Sequence, residues 1–283
     1  MSTLADVLAV LDLDDVGEGR FVGRSLPDTP GGVVFGGQLL GQVLVAAARA
    51  VPDKQVFSVH TVFARGASAE GPLDVAVEVV QTGRSFATAS VTVGQSDRVC
   101  VSSIVLLHAP DEDVFRHQPS LPAVDAPDAL ALAGHEQWWD VRLCDDVDIM
   151  SPEVTGPAEL RVWSRVPGAP EDLVTSQALL AYATDGFLIA TAMRPHFGFG
   201  QSLAHVSVST TVLAQTLTFH EPFTTDQWLL LDQRSTAAGR GRSHGLGEVF
   251  TQDGTLVCSF TQENMIRDMP AEHRPQNGGK ATF

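Results

Sequence analysis

A chain of 283 residues with 44% hydrophobic content holds enough material for one large or two small domains with buried cores. Lysine plus arginine is 18 against 34 for aspartate plus glutamate, a formal charge of −16, which argues against nucleic acid or an anionic membrane as a general partner. The three cysteines, Cys100, Cys144 and Cys258, have no metal-binding spacing and cannot all pair, and the opening MSTLADVLAV lacks a basic leader. The sequence therefore reads as a reduced, cytoplasmic protein. No apolar run is expected to reach the roughly 18 residues of a membrane span, so no membrane insertion is expected either.

In chain order, an acidic and apolar segment at 6–13 and a proline and glycine loop, SLPDTPGG, lead to VFGGQLLGQVLVAAARAV at 34–51. That stretch predicts a helix buried on most sides, with a thin polar stripe at Gln38, Gln42 and Arg49. Gly36 and Gly37 at its start let backbone or ligand come close, and the free N–H groups of a first turn can meet an anion or a carbonyl. Four strands are expected at 56–64, 73–81, 85–94 and 99–108, rich in valine and threonine. Acids and prolines then dominate 109–128, which reads as a linker. Beyond Trp138 and Trp139 a short strand at 160–166 precedes a second apolar helix at 174–193, a loop PHFGFGQ, and strands at 213–223, 227–235, 244–251 and 255–267.

Helix followed by four strands thus occurs twice, and two short matches support a duplication. Gly83-Arg84-Ser85 recurs as Gly241-Arg242-Ser243, and the same offset of 158 residues carries Cys100 onto Cys258. The chain is read as an α+β protein with an N-terminal unit at 1–109, a linker at 110–159, a C-terminal unit at 160–268 and a disordered tail at 269–283.

Polar residues that one copy has and the other lacks are the candidates for chemistry. At the offset of 158, Gln262 falls on Ile104, an amide in place of an apolar residue. Asp185 stands in LLAYATDGFLIATAM with apolar neighbours on both sides, and a buried carboxylate must be paired, hydrogen-bonded or protonated. Its bland reading is an Asp-Gly turn between two short helices, but a turn would expose Phe187, Leu188 and Ile189. Thr210, Val212, Ala214 and Thr216 alternate along one strand and are expected on one face, so Thr210 and Thr216 are candidate hydroxyls beside Asp185. No HExxH, GxSxG or P-loop pattern occurs, so no metal and no cofactor are expected. The remaining chemistry is a carboxylate, an amide and a hydroxyl acting on water.

Eight stretches in order, VFGGQLLGQVL, FSVHTVFARGAS, TGRSFAT, RVWSRVPGAPEDL, LLAYATD, LTFHEPF, WLLLDQRSTAAGRGR and TQDGTLVCSFTQE, resemble the type II acyl-CoA thioesterase family. The resemblance implies a double hotdog fold, two long helices each wrapped by antiparallel sheet, and commonly a homo-oligomer. It implies hydrolysis of an acyl-CoA substrate without an acyl-enzyme, by an aspartate matching Asp185, a glutamine matching Gln262 and a strand hydroxyl. The hydroxyl position falls on Val212, and the family's aspartate-histidine pair reads Ala214-Gln215, so a neighbouring hydroxyl (Thr210, Thr211 or Thr216) would have to serve. Gly36, Gly37 and Gln38 would meet the thioester end of the substrate, and Arg65, Arg84, Arg240 and Arg242 the phosphates of coenzyme A, with the acyl chain between helix and sheet. A hydratase on the same architecture and a non-catalytic acyl-CoA binder are the competing readings.

Overall fold

The computed structural model describes residues 2–27, 29–133, 138–145 and 147–274. The first half contains α1 (Leu4–Leu11), β1 (Asp14–Gly17), β2 (Arg20–Gly23), α2 (Gly36–Ala50), β3 (Gln55–Phe63), β4 (Leu73–Thr82), β5 (Phe86–Gln95) and β6 (Arg98–His108). The second contains β7 (Asp140–Leu143), β8 (Glu159–Arg165), α3 (Leu173–Thr184), α4 (Leu188–Met193), β9 (Val208–Phe219), β10 (Leu229–Gly239), β11 (Arg242–Thr251) and β12 (Leu256–Asp268). The expected helices and strands are found with shifted ends. Sequence reading missed α1, β1, β2 and β7, whose few residues carry too little periodicity to register.

All twelve strands form one antiparallel sheet in the order β1-β2-β4-β5-β6-β3-β9-β12-β11-β10-β8-β7. The two halves join where β3 pairs with β9, His60 standing opposite Thr216. The helices cover one face. There Leu40, Val43 and Leu44 of α2 and Leu179, Leu180 and Leu188 of α3 and α4 are shut off from solvent against sheet residues such as Val91, Val105, Leu217 and Leu231.

The duplication is written in the bulges as much as in the strand order. An extra residue interrupts the pairing at Phe57 and again at Leu213, at Val80 and again at Thr236, and at Cys100 and again at Val257. A bulge shifts the register locally by one, so these positions mark equivalence: the first two pairs lie 156 residues apart and the third 157. The offset of 158 suggested by Gly83-Arg84-Ser85 is therefore not the structural one. Arg84 corresponds to Arg240 rather than Arg242, and Gln262 corresponds to fully buried Val105 rather than to half-exposed Ile104.

The segment read as a loose linker is a packed strap. Trp163 Nε1 donates to Asp125 O, Arg142 donates to Pro127 O, and Gln118 Nε2 donates to Gly254 O. Leu121, Val124 and Leu130 cover Trp163, Trp228, Leu230 and Phe250 on the sheet face away from the helices, making a second, smaller core. β7 then adds the outermost strand beside β8. At the C-terminal end a short 3-10 turn, Ala271–His273, follows β12, and most of the tail read as disordered lies outside the described residues.

A further correction concerns the second helical segment. Contrary to the expectation from sequence, Leu173–Met193 has the length and mean hydropathy of a membrane-spanning helix. In the fold it is the central helix of the second half, buried over most of its length and broken after Thr184.

α2 and α3 run antiparallel and touch backbone to backbone. A Cβ placed on Gly37 would lie 2.7 Å from Tyr182 Cα and 2.8 Å from Tyr182 O, and one on Gly41 would lie 3.3 Å from Ala178 O. Glycine is needed at position 37 because the facing atoms cannot swing away. Gly37→Ala is expected to destabilise the protein by about 3 kcal/mol, the upper range for overpacking, despite alanine's better helix propensity. Urea denaturation checks this; an unchanged midpoint would show that the helices can separate without loss.

Candidate active site

The break between α3 and α4 carries the one buried carboxylate among the described residues, Asp185. α3 opens with Asp172, whose carboxylate accepts from Thr175 N, and ends at Thr184. Asp185 caps it, and α4 starts two residues after Gly186. The Asp-Gly pair is thus a true turn. Its aspartate is nevertheless buried: Asp185 is 7% exposed, and Phe187 and Leu188 after it are at most 1% exposed, because the sheet and the N-terminus of α2 enclose the break. The two readings of this residue merge in one geometry.

Asp185 Oδ2 accepts a hydrogen bond from the backbone N–H of Gly37 at 2.9 Å, at the first turn of α2. A Cβ on Gly36 would stand 2.8 Å from the same oxygen, so both glycines are where the carboxylate needs them. Oδ1 accepts from Gln262 Nε2 at 3.3 Å, and that nitrogen also donates to Gln215 Oε1 at 3.0 Å. Gln215 Nε2 donates to the Thr184 hydroxyl at 2.7 Å, which donates in turn to Ala181 O at 3.0 Å. This chain ties the last turn of α3 to β9 and β12 and fixes the Gln262 amide. Gln262 Oε1 has no protein partner among the described residues. Burial pushes the Asp185 carboxyl up to about 7, and the Gly37 N–H pulls it back only in part.

The structure joins Asp185, Gln262, Gly36 and Gly37 and leaves the candidate hydroxyls apart. The bulge at Leu213 reverses the side-chain alternation of β9, so Thr210 and Thr216 lie on opposite faces. Thr216 is on the outer face, its hydroxyl 2.8 Å from His60 Nδ1. Thr210 is on the helix side but pairs with Ile266, four residues or roughly 13 Å along β12 from Gln262, and its hydroxyl is 3.4 Å from His205 Nε2. Gln215 stands directly opposite Gln262. Counting back from buried Phe219 by twos through Leu217 would have found it; the expected pattern began from Thr210, on the far side of the bulge. Thr184 carried no signal in the sequence.

Gln38 is structural. Its Oε1 accepts from Leu26 N and its Nε2 donates to Arg24 O, anchoring the loop before α2. Gln42 does the same through Val10 O and Arg24 O. The four arginines are exposed. Strand directions put Arg65, just past β3, and Arg240 and Arg242, at the β10–β11 turn, toward the end of the sheet where Met265 pairs with Thr211. Arg84, at the β4–β5 turn, is at the opposite end, where β5 and β3 both meet His108. A cleft of about 550 Å³ between α1, the end of α2 and the start of α3, lined by Leu8, Val45, Ala48 and Val174, is also remote from Asp185.

Two family models match the chain: the acyl-CoA thioesterase N-terminal domain over residues 26–108 and the acyl-CoA thioesterase C-terminal domain over residues 118–266. Acyl-coenzyme A thioesterase 8 of Homo sapiens is 29% identical over 292 residues, spanning 93% of this chain and 89% of that protein. Acyl-CoA thioesterase 2 of Haemophilus influenzae is 29% identical over 289 residues, spanning 93% and 98%. The crystal structure of an acyl-CoA thioesterase II, TesB2, from Mycobacterium marinum superimposes with a TM-score of 0.79 at 31% identity, covering 94% of this chain and 98% of that one. With its repeated helix-and-sheet units and its buried Asp185 and Gln262, the chain belongs to the type II acyl-CoA thioesterase family and has the double hotdog fold.

Proposed function

We propose that the chain hydrolyses acyl-CoA thioesters by direct attack of a water activated at Asp185, with no covalent intermediate. The observation that carries this reading is a carboxylate buried against Gly37 N–H and Gln262, with its pKa held at about 7. At that value it is half ionised near neutrality and can both accept a proton and return it. A water bonded to Asp185 can donate its second proton to Gln262 Oε1, a buried acceptor with its own place fixed by Gln215. The Gly37 N–H, released from Oδ2, meets the thioester oxygen, and loss of that hydrogen bond raises the basicity of Asp185 at the moment it is needed. The water oxygen bonds to the carbonyl carbon as its proton passes to Asp185; the C–S bond then breaks, and the departing thiolate takes the proton as coenzyme A. Arg65, Arg240 and Arg242 serve the phosphates at the near end of the sheet, while Arg84 is left at the other.

The amide pair Gln215–Gln262 corresponds to Val59 and Val105 in the first copy, both buried and apolar. One such centre per chain follows. Among the described residues Asp185 has no histidine as a hydrogen-bond partner, which disfavours a hydratase needing a paired base and acid for proton transfer at carbon.

Asp185→Asn is expected to abolish thiol release from acyl-CoAs of any chain length while leaving their binding; full activity in that variant would remove the carboxylate from the mechanism. Because only ionised Asp185 is a base, kcat/KM of the wild type should rise with pH and level off above an apparent pKa near 7. A profile flat from pH 5 to 9 would contradict this.

The same shift has the opposite sign for stability. Between the ordinary carboxylate value of 3.8 and about 7 the folded state holds a proton that the unfolded state has lost. Stability therefore falls as pH rises through that window, by on the order of 4 kcal/mol in all. Asp185→Asn removes this cost, so the variant should melt above the wild type at pH 8, with the difference vanishing toward pH 4. Thermal unfolding at both pH values checks it.

A further inference from the structure

Two residues beyond Gln262 on the same strand and the same face, Asn264 is fully shielded from solvent. Its Nδ2 lies 3.3 Å from Ser243 Oγ on β11, and its Oδ1 has no partner among the described residues. Ser243 can serve either end of the amide, since its hydroxyl both donates and accepts. In either orientation, one end of a buried amide is left open. An unmet group of this kind is costly unless a ligand meets it. The corresponding position of the first copy is Leu107, fully buried, so the amide is particular to the half that carries Asp185.

The place of Asn264 along the strand is as informative as its chemistry. Gln262 is beside Asp185; Asn264 follows about 7 Å further on; Met265 then pairs with Arg242, at the end of the sheet that also holds Arg240 and Arg65. A substrate whose thioester is at Asp185 and whose phosphates are at these arginines runs along β12 past Asn264. The pantetheine arm of coenzyme A carries its first amide two methylenes from the sulfur, with an N–H to donate and a carbonyl to accept.

Resting on the thioesterase reading above, we propose that Asn264 is a substrate-positioning residue that hydrogen-bonds the first amide of the pantetheine arm, and that Ser243 holds its side chain for that contact. The residue selects thioesters of amide-bearing thiols over simple alkyl thioesters of the same acyl group.

The test compares wild type and Asn264→Leu on two substrates with one acyl chain, an S-acyl-N-acetylcysteamine, which has the amide, and an S-acyl-propanethiol, which lacks it. The wild type should favour the amide-bearing substrate in kcat/KM by about ten- to a hundredfold, the worth of one buried amide contact. Asn264→Leu should lose that preference, so that the two substrates are turned over with similar kcat/KM. Asn264→Ala, with the same two substrates, guards against a packing artefact of the leucine. A wild type that does not discriminate, or variants that still do, overturns the assignment of Asn264. Release of coenzyme A by Asp185→Asn at the wild-type rate would instead overturn the thioesterase mechanism itself, so the two failures are distinguishable.

Discussion

A carboxylate enclosed by apolar surface is the constraint from which the rest of this structure follows. Asp185 can be buried only because the helix stops there: the break between α3 and α4 turns its side chain toward the first turn of α2, whose Gly37 N–H is free to meet it. That contact requires the two helices to approach more closely than side chains permit, hence glycine at positions 36 and 37. It also requires a second donor, which Gln262 supplies from β12. Burial of the whole group by Phe187, Leu188 and the sheet sets the carboxyl near neutrality. Stability is given up to hold a carboxyl near neutrality in an apolar setting, a trade expected of functional sites rather than of cores.

Duplication explains how one chain came to hold both a scaffold and a site. Bulges recur at matching places in the two halves, so the strand registers shift alike in each. On the helix-facing surface the side chains diverge: Val59, Val105 and Leu107 in the first half stand where Gln215, Gln262 and Asn264 stand in the second. The first copy's polar helix residues, Gln38 and Gln42, are spent on the backbone of the N-terminal segment and hold it against α2. The helix-facing surface of the sheet is thus apolar in one half and bears buried amides in the other.

Much of this was legible in residues alone. The two apolar helices, nine of the strands and the repetition came from periodicity and turn chemistry, which are local properties. Asp185 and Gln262 could be singled out because a charged or amide side chain in an apolar context has few cheap explanations. Gly36 and Gly37 were legible for the same reason, as two residues without side chains at the opening of a buried helix.

What tertiary structure decided was register and partnership. A single extra residue at Leu213 moved Thr216 to the outer face and set Gln215 beside Gln262, and no local pattern announces a bulge whose cause is the pairing of β9 with β12. The strap at 118–130 looked like a linker because prolines exclude it from a sheet; that it packs on Trp163 and Trp228 depends on surface formed by strands far along the chain. Thr184, Gln215 and Asn264 are ordinary residues in sequence and acquire roles only through neighbours 31, 47 and 21 positions away. Sequence determined which groups had to be buried and which elements could bury them; the fold determined which of those groups would meet.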